Sequence, residues 1–244
     1  MISKSQLKYI QSLGQKKYRD EKGLFIAEGP KVIKELLQNN NVEFMGLYAL
    51  SEWINQSEKL LEGIDVTTID ESELERISQL KTPNDVIAVV RKFEMKEPDT
   101  KGKISLVLDD VQDPGNLGTI IRIADWFGVA QIMCSAGCAD VYNPKVVQAT
   151  MGSIARVSVF YTDLHEWLSR QHQIKSYAAV LGGKDVTKMN PLEEGLIIIG
   201  NESRGVNDRL LQLVNERITI PKRGRAESLN AAVATGIILS NLVL

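Results

Sequence analysis

Two cysteines and two histidines are all that this 244-residue chain carries, and the scarcity removes several chemistries at once. Cys134 and Cys138 lie four apart in Cys-Ser-Ala-Gly-Cys, and only His165 and His172 follow later, an inventory that argues against a structural zinc site. The pair reads as free thiols of a reducing compartment. Gly-x-Gly-x-x-Gly is absent, and so is Gly-Lys followed by Ser or Thr. The usual glycine loops for dinucleotides and nucleoside triphosphates are therefore missing, which argues against a nucleotide-binding Rossmann enzyme. No basic-apolar leader with a cleavage site opens the chain, and no uncharged apolar run reaches membrane-spanning length. The stretch 229–244 comes nearest, but Asn230, Thr235, Ser240 and Asn241 interrupt it. It reads as a buried or interface helix, and a cytoplasmic protein is expected. There is no internal repeat and no low-complexity segment.

A large excess of positive charge is missing too: the formal net charge is -2. The total hides an asymmetry. Residues 1–35 carry eight Lys/Arg against four Asp/Glu, residues 36–100 six against thirteen, and residues 101–244 fifteen against fourteen. Any phosphate-binding face built from local sequence thus begins at the N-terminus, where Lys16, Lys17 and Arg19 cluster. With 43% hydrophobic and 25% charged residues, the composition is that of an ordinary globular protein with ample core.

Periodicity divides the chain in two. Helical spacing over 4–13, strands at 24–28, 44–50, 66–69 and 86–90, and helices at 30–37, 52–61 and 71–78 give a small α/β domain over 1–93. Residues 94–102, polar with Pro98 and Gly102, have linker chemistry. A second series over 103–244 has strands at 104–108, 131–134, 157–161, 176–181, 196–199 and 217–220. Helices are expected at 119–127, 144–151, 164–171, 208–214 and 228–242. The near-continuous apolar strand Leu196-Ile-Ile-Ile199 predicts a parallel sheet covered on both faces.

Three segments of the second half carry polar groups and glycine where an aliphatic run stops. In Asp109-Asp-Val-Gln-Asp-Pro-Gly-Asn-Leu-Gly118 a Pro-Gly turn feeds a helix N-terminus, a plausible anion or ribose site, with Asn116 at the loop and Arg122 one turn into the helix. The plainer reading is a capping loop and a surface arginine. Gly200-Asn-Glu-Ser-Arg-Gly205 sets polar groups between glycines that allow close backbone approach; alternatively it is a turn capped by Ser203 or Asn207. In Ile220-Pro-Lys-Arg-Gly-Arg-Ala-Glu-Ser-Leu-Asn230, Lys222, Arg223 and Arg225 form a basic loop suited to phosphate, and Ser228 is the expected N-cap of the last helix. A solvated basic loop explains that segment as well. In an open parallel sheet, loops at the carboxyl ends of strands can meet in one crevice.

In kind, order and spacing the three segments resemble the motifs of the SpoU (TrmH-like) RNA 2'-O-ribose methyltransferases, a branch of the SPOUT superfamily. The N-terminal half resembles that family's substrate-binding domain, itself similar to a small RNA-binding ribosomal protein, through Lys17-Tyr-Arg19, Phe25-Ile-Ala-Glu-Gly29 and Thr82-Pro83 before Val86-Ile-Ala88. The resemblance implies an α/β fold whose C-terminal SPOUT domain forms a deep trefoil knot, a homodimer, and S-adenosylmethionine bound with Leu181, Gly200, Ile220 and Leu229 around it. It assigns catalytic roles to Asn116, Arg122, Glu202, Ser228 and Asn230, and leaves RNA contacts to Lys16, Lys17, Arg19, Arg223 and Arg225. No metal is needed. The substrate would be structured RNA, ribosomal rather than transfer RNA. A conventional methyltransferase would need the missing Gly-x-Gly loop, whereas a non-catalytic RNA-binding module would keep the basic segments and have no use for the cofactor motifs. The family's proposed base, Arg122, is an awkward one, since arginine ordinarily keeps its proton. A phosphate clamp with another proton acceptor is the reading favoured.

Overall fold

The computed structural model describes residues 2–95 and 98–243. Lys96 and Glu97, within the expected linker, and Met1 and Leu244 at the ends lie outside the described residues. In chain order the first elements are α1 (Lys4–Ser12), α2 (Lys16–Lys22), β1 (Leu24–Glu28), α3 (Pro30–Leu37), β2 (Phe44–Ala49), α4 (Ser51–Gln56), β3 (Thr67–Thr68), α5 (Glu71–Ile77) and β4 (Val86–Arg91). Then follow β5 (Ile104–Leu108), α6 (Pro114–Trp126), β6 (Gln131–Cys134), α7 (Pro144–Thr150), β7 (Ser158–Tyr161) and α8 (Leu164–Ser169). The last are β8 (Ser176–Asp185), β9 (Gly195–Ile199), α9 (Asp208–Leu211), β10 (Glu216–Thr219) and α10 (Ala231–Leu242). Two compact units result: Met1–Glu94 with Asp140–Ala155, and Met95–Ala139 with Arg156–Leu244.

In the first unit a four-stranded sheet runs β1-β4-β2-β3. The apolar strand β4 is antiparallel to both neighbours, and β3 is a short parallel edge. Apolar residues at helical spacing in α1 and α5 (Leu7, Ile10, Leu74, Ile77) close over Ile26, Ile87 and Val89. Ser3 with Gln6 and Asp70 with Glu73 form capping boxes that start those two helices. The expected helix over 52–61 stops at Gln56, with a short 3-10 turn beyond it.

The sequence division at 94–102 assigns residues 140–155 to the second domain, yet their contacts lie within the first unit. Helix α7, capped by Asn143, packs on β1. The Tyr142 ring lies 4.9 Å from that of Phe25. Here Arg19 corrects an expectation. It is 2% exposed, and its guanidinium donates to the carbonyls of Leu13 and Gly14 and to Asp140 at 2.5 Å. A side chain so enclosed has no donors to offer RNA. Its charge is satisfied inside the unit, where it ties α2 to the returning segment. Removing one partner of a buried pair leaves the other charge uncompensated, so Arg19→Ala should cost about 3–5 kcal/mol. Chemical denaturation of the whole protein tests this; a loss below 1 kcal/mol would return Arg19 to the surface reading.

The second unit is a six-stranded sheet of order β10-β8-β9-β5-β6-β7. Every pairing is parallel, as the apolar strands predicted. The buried strand β9 sits between β8 and β5, and Leu196 and Ile198 pack with Val107, Met133, Ala178 and the α8 and α9 residues Leu164, Leu168 and Leu210. Helix α6 lies against α10. Parallel strands deliver their carboxyl ends to one edge, which positions the site. No helix among the described residues is long and apolar enough to cross a membrane.

Candidate active site

The loops after β5 and β9 are tied together at the carboxyl edge of the sheet. Asp109 accepts the Asn207 backbone N–H at 2.7 Å, and burial pushes its carboxyl above the usual range. Asp110 has a left-handed backbone (φ 56) and is clasped by Ser135, whose hydroxyl accepts its N–H at 2.9 Å and donates to its carboxylate at 2.7 Å. Its carbonyl takes the Asn201 amide at 2.8 Å, and its carboxylate meets Arg204 at 3.2 Å. Gly200 has no alternative: a Cβ there would stand 2.2 Å from the Gly205 carbonyl carbon, because the loop folds back through paired bonds between Asn201 and Gly205.

One residue from each of the three segments then joins a single chain of hydrogen bonds. Asn116 donates its amide to Glu202 at 2.8 Å, and Asn230 donates its amide to Asn116 at 2.8 Å. Asn230 in turn caps α10, accepting from the Ala232 and Val233 backbones. The polarity of this chain is chemically determined. A carboxylate offers only acceptors, so Asn116 must turn its NH2 toward Glu202 and its oxygen toward Asn230. That leaves the Asn230 oxygen for the helix N-terminus, where free N–H groups await it.

Other expected residues lie elsewhere. Asp113 caps α6 by accepting the Asn116 N–H, with Pro114 in the first turn, so the helix begins five residues earlier than the expected 119. Arg122 is therefore about two turns in and about 120° around the axis from Asn116. It is exposed and touches none of Asn116, Glu202 and Asn230 by hydrogen bond. Ser228 is exposed, and its expected capping role belongs to Asn230, two residues on. Asparagine caps as well as serine does. Lys16, Lys17, Arg223 and Arg225 are exposed.

The residues expected around a cofactor are placed at the same carboxyl edge. β10 pairs with β8 at Arg217↔Ala178 and then at Ile218↔Lys184, so residues 179–183 leave the ladder. Gly183 makes this possible, since a Cβ would lie 2.6 Å from the Arg217 and Ile218 backbone. The excursion carries Leu181 into solvent, 72% exposed. Gly200 and Ile220 directly follow β9 and β10, and Leu229, 47% exposed, precedes the α10 cap. Exposed leucines beside closely approached backbone fit a ligand with an apolar face and a hydrogen-bonding edge. A groove of about 550 Å³ between α6 and α10 is lined by Asn116, Thr119, Ile123, Asn230, Val233 and Ile237. Among the described residues no three His, Cys, Asp or Glu side chains group as metal ligands.

Sequence reasoning missed Asp109, Asp110, Ser135 and Asn207 as the frame of these loops. The signal was two acids directly after an apolar strand, a position where charge must find partners.

A wholly parallel sheet whose three strand exits pool an amide–carboxylate chain defines an α/β protein with its ligand site at the carboxyl ends of the strands. The family model of the SpoU rRNA methylases matches residues 103–240, and that of the MRM3-like substrate binding domain matches residues 4–88. The chain belongs to the SpoU rRNA methylase family. It is 30% identical over 233 residues to the 23S rRNA (guanosine(2553)-2'-O)-methyltransferase RlmP of Bacillus subtilis, covering 94% of this chain and 92% of that one. A TrmH-family structure from Porphyromonas gingivalis aligns with TM-score 0.85 and 36% identity, over 99% of this chain and 98% of the other. An AdoMet-bound rRNA methyltransferase from Sinorhizobium meliloti aligns with TM-score 0.86 and 29% identity, over 99% and 95%.

Proposed function

We propose that the protein is an S-adenosylmethionine-dependent methyltransferase acting on a ribose 2'-hydroxyl of ribosomal RNA in the cytoplasm. The observation that carries this is the Asn230–Asn116–Glu202 chain, which draws one polar residue from each family motif into one place. Leu181, Gly200, Ile220 and Leu229 would hold the cofactor, backbone groups meeting its adenine and aliphatic side chains walling it. When bound, the cofactor supplies an electrophilic methyl group on a sulfonium. The chain's own task is to orient a poor nucleophile and manage its proton. Asn116 and Asn230 have fixed amides with which to orient the ribose. Glu202, held by Asn116, anchors that orientation. Arg122 clamps RNA phosphate, and the proton leaves to phosphate or water. Lys16, Lys17, Arg223 and Arg225 add sequence-independent attraction to the RNA backbone.

Two further features belong to this reading. The second unit forms the trefoil knot of its family. The apolar end of the α6–α10 groove, with Ile123, Val233 and Ile237, receives a second copy of the chain, while Asn116 and Asn230 at its other end stay with the RNA.

The test is transfer of tritium from labelled S-adenosylmethionine to unmodified large-subunit ribosomal RNA. Label should enter the ribose of RNA and not matching DNA, which lacks the 2'-hydroxyl. Cofactor binding should be measurable by calorimetry. RNA binding with no cofactor binding at millimolar concentration would instead establish a non-catalytic RNA-binding module.

A further inference from the structure

Trp126 closes α6 with 86% of its surface exposed, whereas Trp53, by contrast, is 4% exposed. Tryptophan is on average a highly buried residue, and here no ring or cation of the described residues covers it. It stands four residues after Arg122, and with Thr119 the two form an exposed stripe at helical spacing. The acid beside them is engaged elsewhere: Asp125 takes a two-pronged bond from Arg156, with contacts of 2.8–3.1 Å. Arg122 itself has no ion pair or hydrogen bond among the described residues. The stripe therefore offers a planar cation whose charge no neighbouring carboxylate cancels, one turn from an uncovered aromatic face.

We propose that Arg122 and Trp126 form a platform for one nucleotide next to the methylated one, the guanidinium gripping its phosphate and the indole stacking on its base. This rests on the methyltransferase reading above. Arginine presents donors in a fork that matches phosphate oxygens, and a base presents a π-face to any exposed indole. Arg122 and Thr119 flank Trp126 on one side and Ile123, at the rim of the α6–α10 groove, lies on the other; the unpaired guanidinium one turn away is what favours a nucleotide over a protein surface. Because every base stacks, the platform adds affinity without choosing sequence.

The full-length protein is titrated with unmodified large-subunit rRNA transcript and with a short single-stranded oligoribonucleotide. Indole fluorescence should be quenched by both in the wild type and spared in Trp126→Phe. Trp126→Ala should raise the RNA KM by about tenfold, Trp126→Phe by less than about threefold. In both variants kcat at saturating RNA, cofactor affinity and sedimentation should match the wild type. Absence of quenching, or an unchanged KM in Trp126→Ala, overturns the platform. So does a lower sedimentation coefficient, which would assign the indole to contact with a second copy. If the wild type transferred no methyl group while quenching and its loss persisted, the platform would stand and the proposed reaction would fall.

Discussion

Asn116→Ala should lower single-turnover methylation by about 100-fold, the loss typical of a reacting group displaced by about 1 Å, while leaving the fold intact. The residue is half-buried and tied at both ends of its amide, to Glu202 and to Asn230 at 2.8 Å each. Without it Glu202 loses a donor and Asn230 keeps only its capping bonds to α10. Asn116→Asp separates this positioning role from mere occupancy. The new carboxylate can still accept from Asn230, but it confronts Glu202 with a second acceptor. Two carboxylates that close hold one proton between them only when one has a raised pKa. The aspartate variant should therefore be weaker than the alanine variant at alkaline pH and recover as pH falls, when a shared proton restores the missing donor. The alanine variant, with no group to titrate there, should follow the wild-type profile at reduced height. Single-turnover rates from about pH 5 to 9 make the comparison, spanning a raised carboxyl pKa. Parallel profiles for the two variants would show that the amide's polarity has no part in the rate.

The meeting of the three segments at one edge is legible in the sequence because each begins where a buried strand ends, and a parallel sheet sends all such ends one way. At Gly200 the sequence shows a point of close approach, read there as approach to a ligand, whereas the neighbour in the structure is the Gly205 backbone of the same folded-back loop. Boundaries set by a single capping bond were less so. Ser228 and Asn230 both have capping side chains, and only the bond from Asn230 to the Ala232 and Val233 backbones decides between them. For α6 the decisive pair Asp113-Pro114 was present in the chain, but the glycines at 115 and 118 disguised it as a loop. Other features lie beyond local pattern altogether. Arg19 sits in a basic cluster like any solvated face, and its partner Asp140 is 121 residues away. The excursion at 179–183 depends on how β10 pairs with β8, which alternation along either strand does not encode.

Arg122→Lys should hold methylation low, at about one hundredth of wild type, from pH 6 to 10, a range that reaches toward lysine's titration near 10.4. The RNA dissociation constant should rise about tenfold and cofactor affinity should not move. The reason is geometric. Lysine keeps one positive charge but loses the planar fork that grips two oxygens at once. Arg122 stands exposed on α6, away from the Asn116 amide and open to solvent, where such a fork can reach a phosphate. If the residue took the proton of the 2'-hydroxyl instead, lysine would be the better base. Activity in the variant would then climb with pH as its ammonium gives up a proton, and RNA affinity would stay near that of the wild type. The two readings thus differ in both the slope of the pH profile and the binding constant. A clamp loses affinity and gains nothing from alkali; a base keeps affinity and is rescued by it. Arg122→Ala supplies the limit for both, since neither fork nor base remains. Full activity in that variant would remove Arg122 from the reaction, leave Trp126 without its neighbouring cation, and shift the burden of RNA positioning to the basic loop at Arg223 and Arg225.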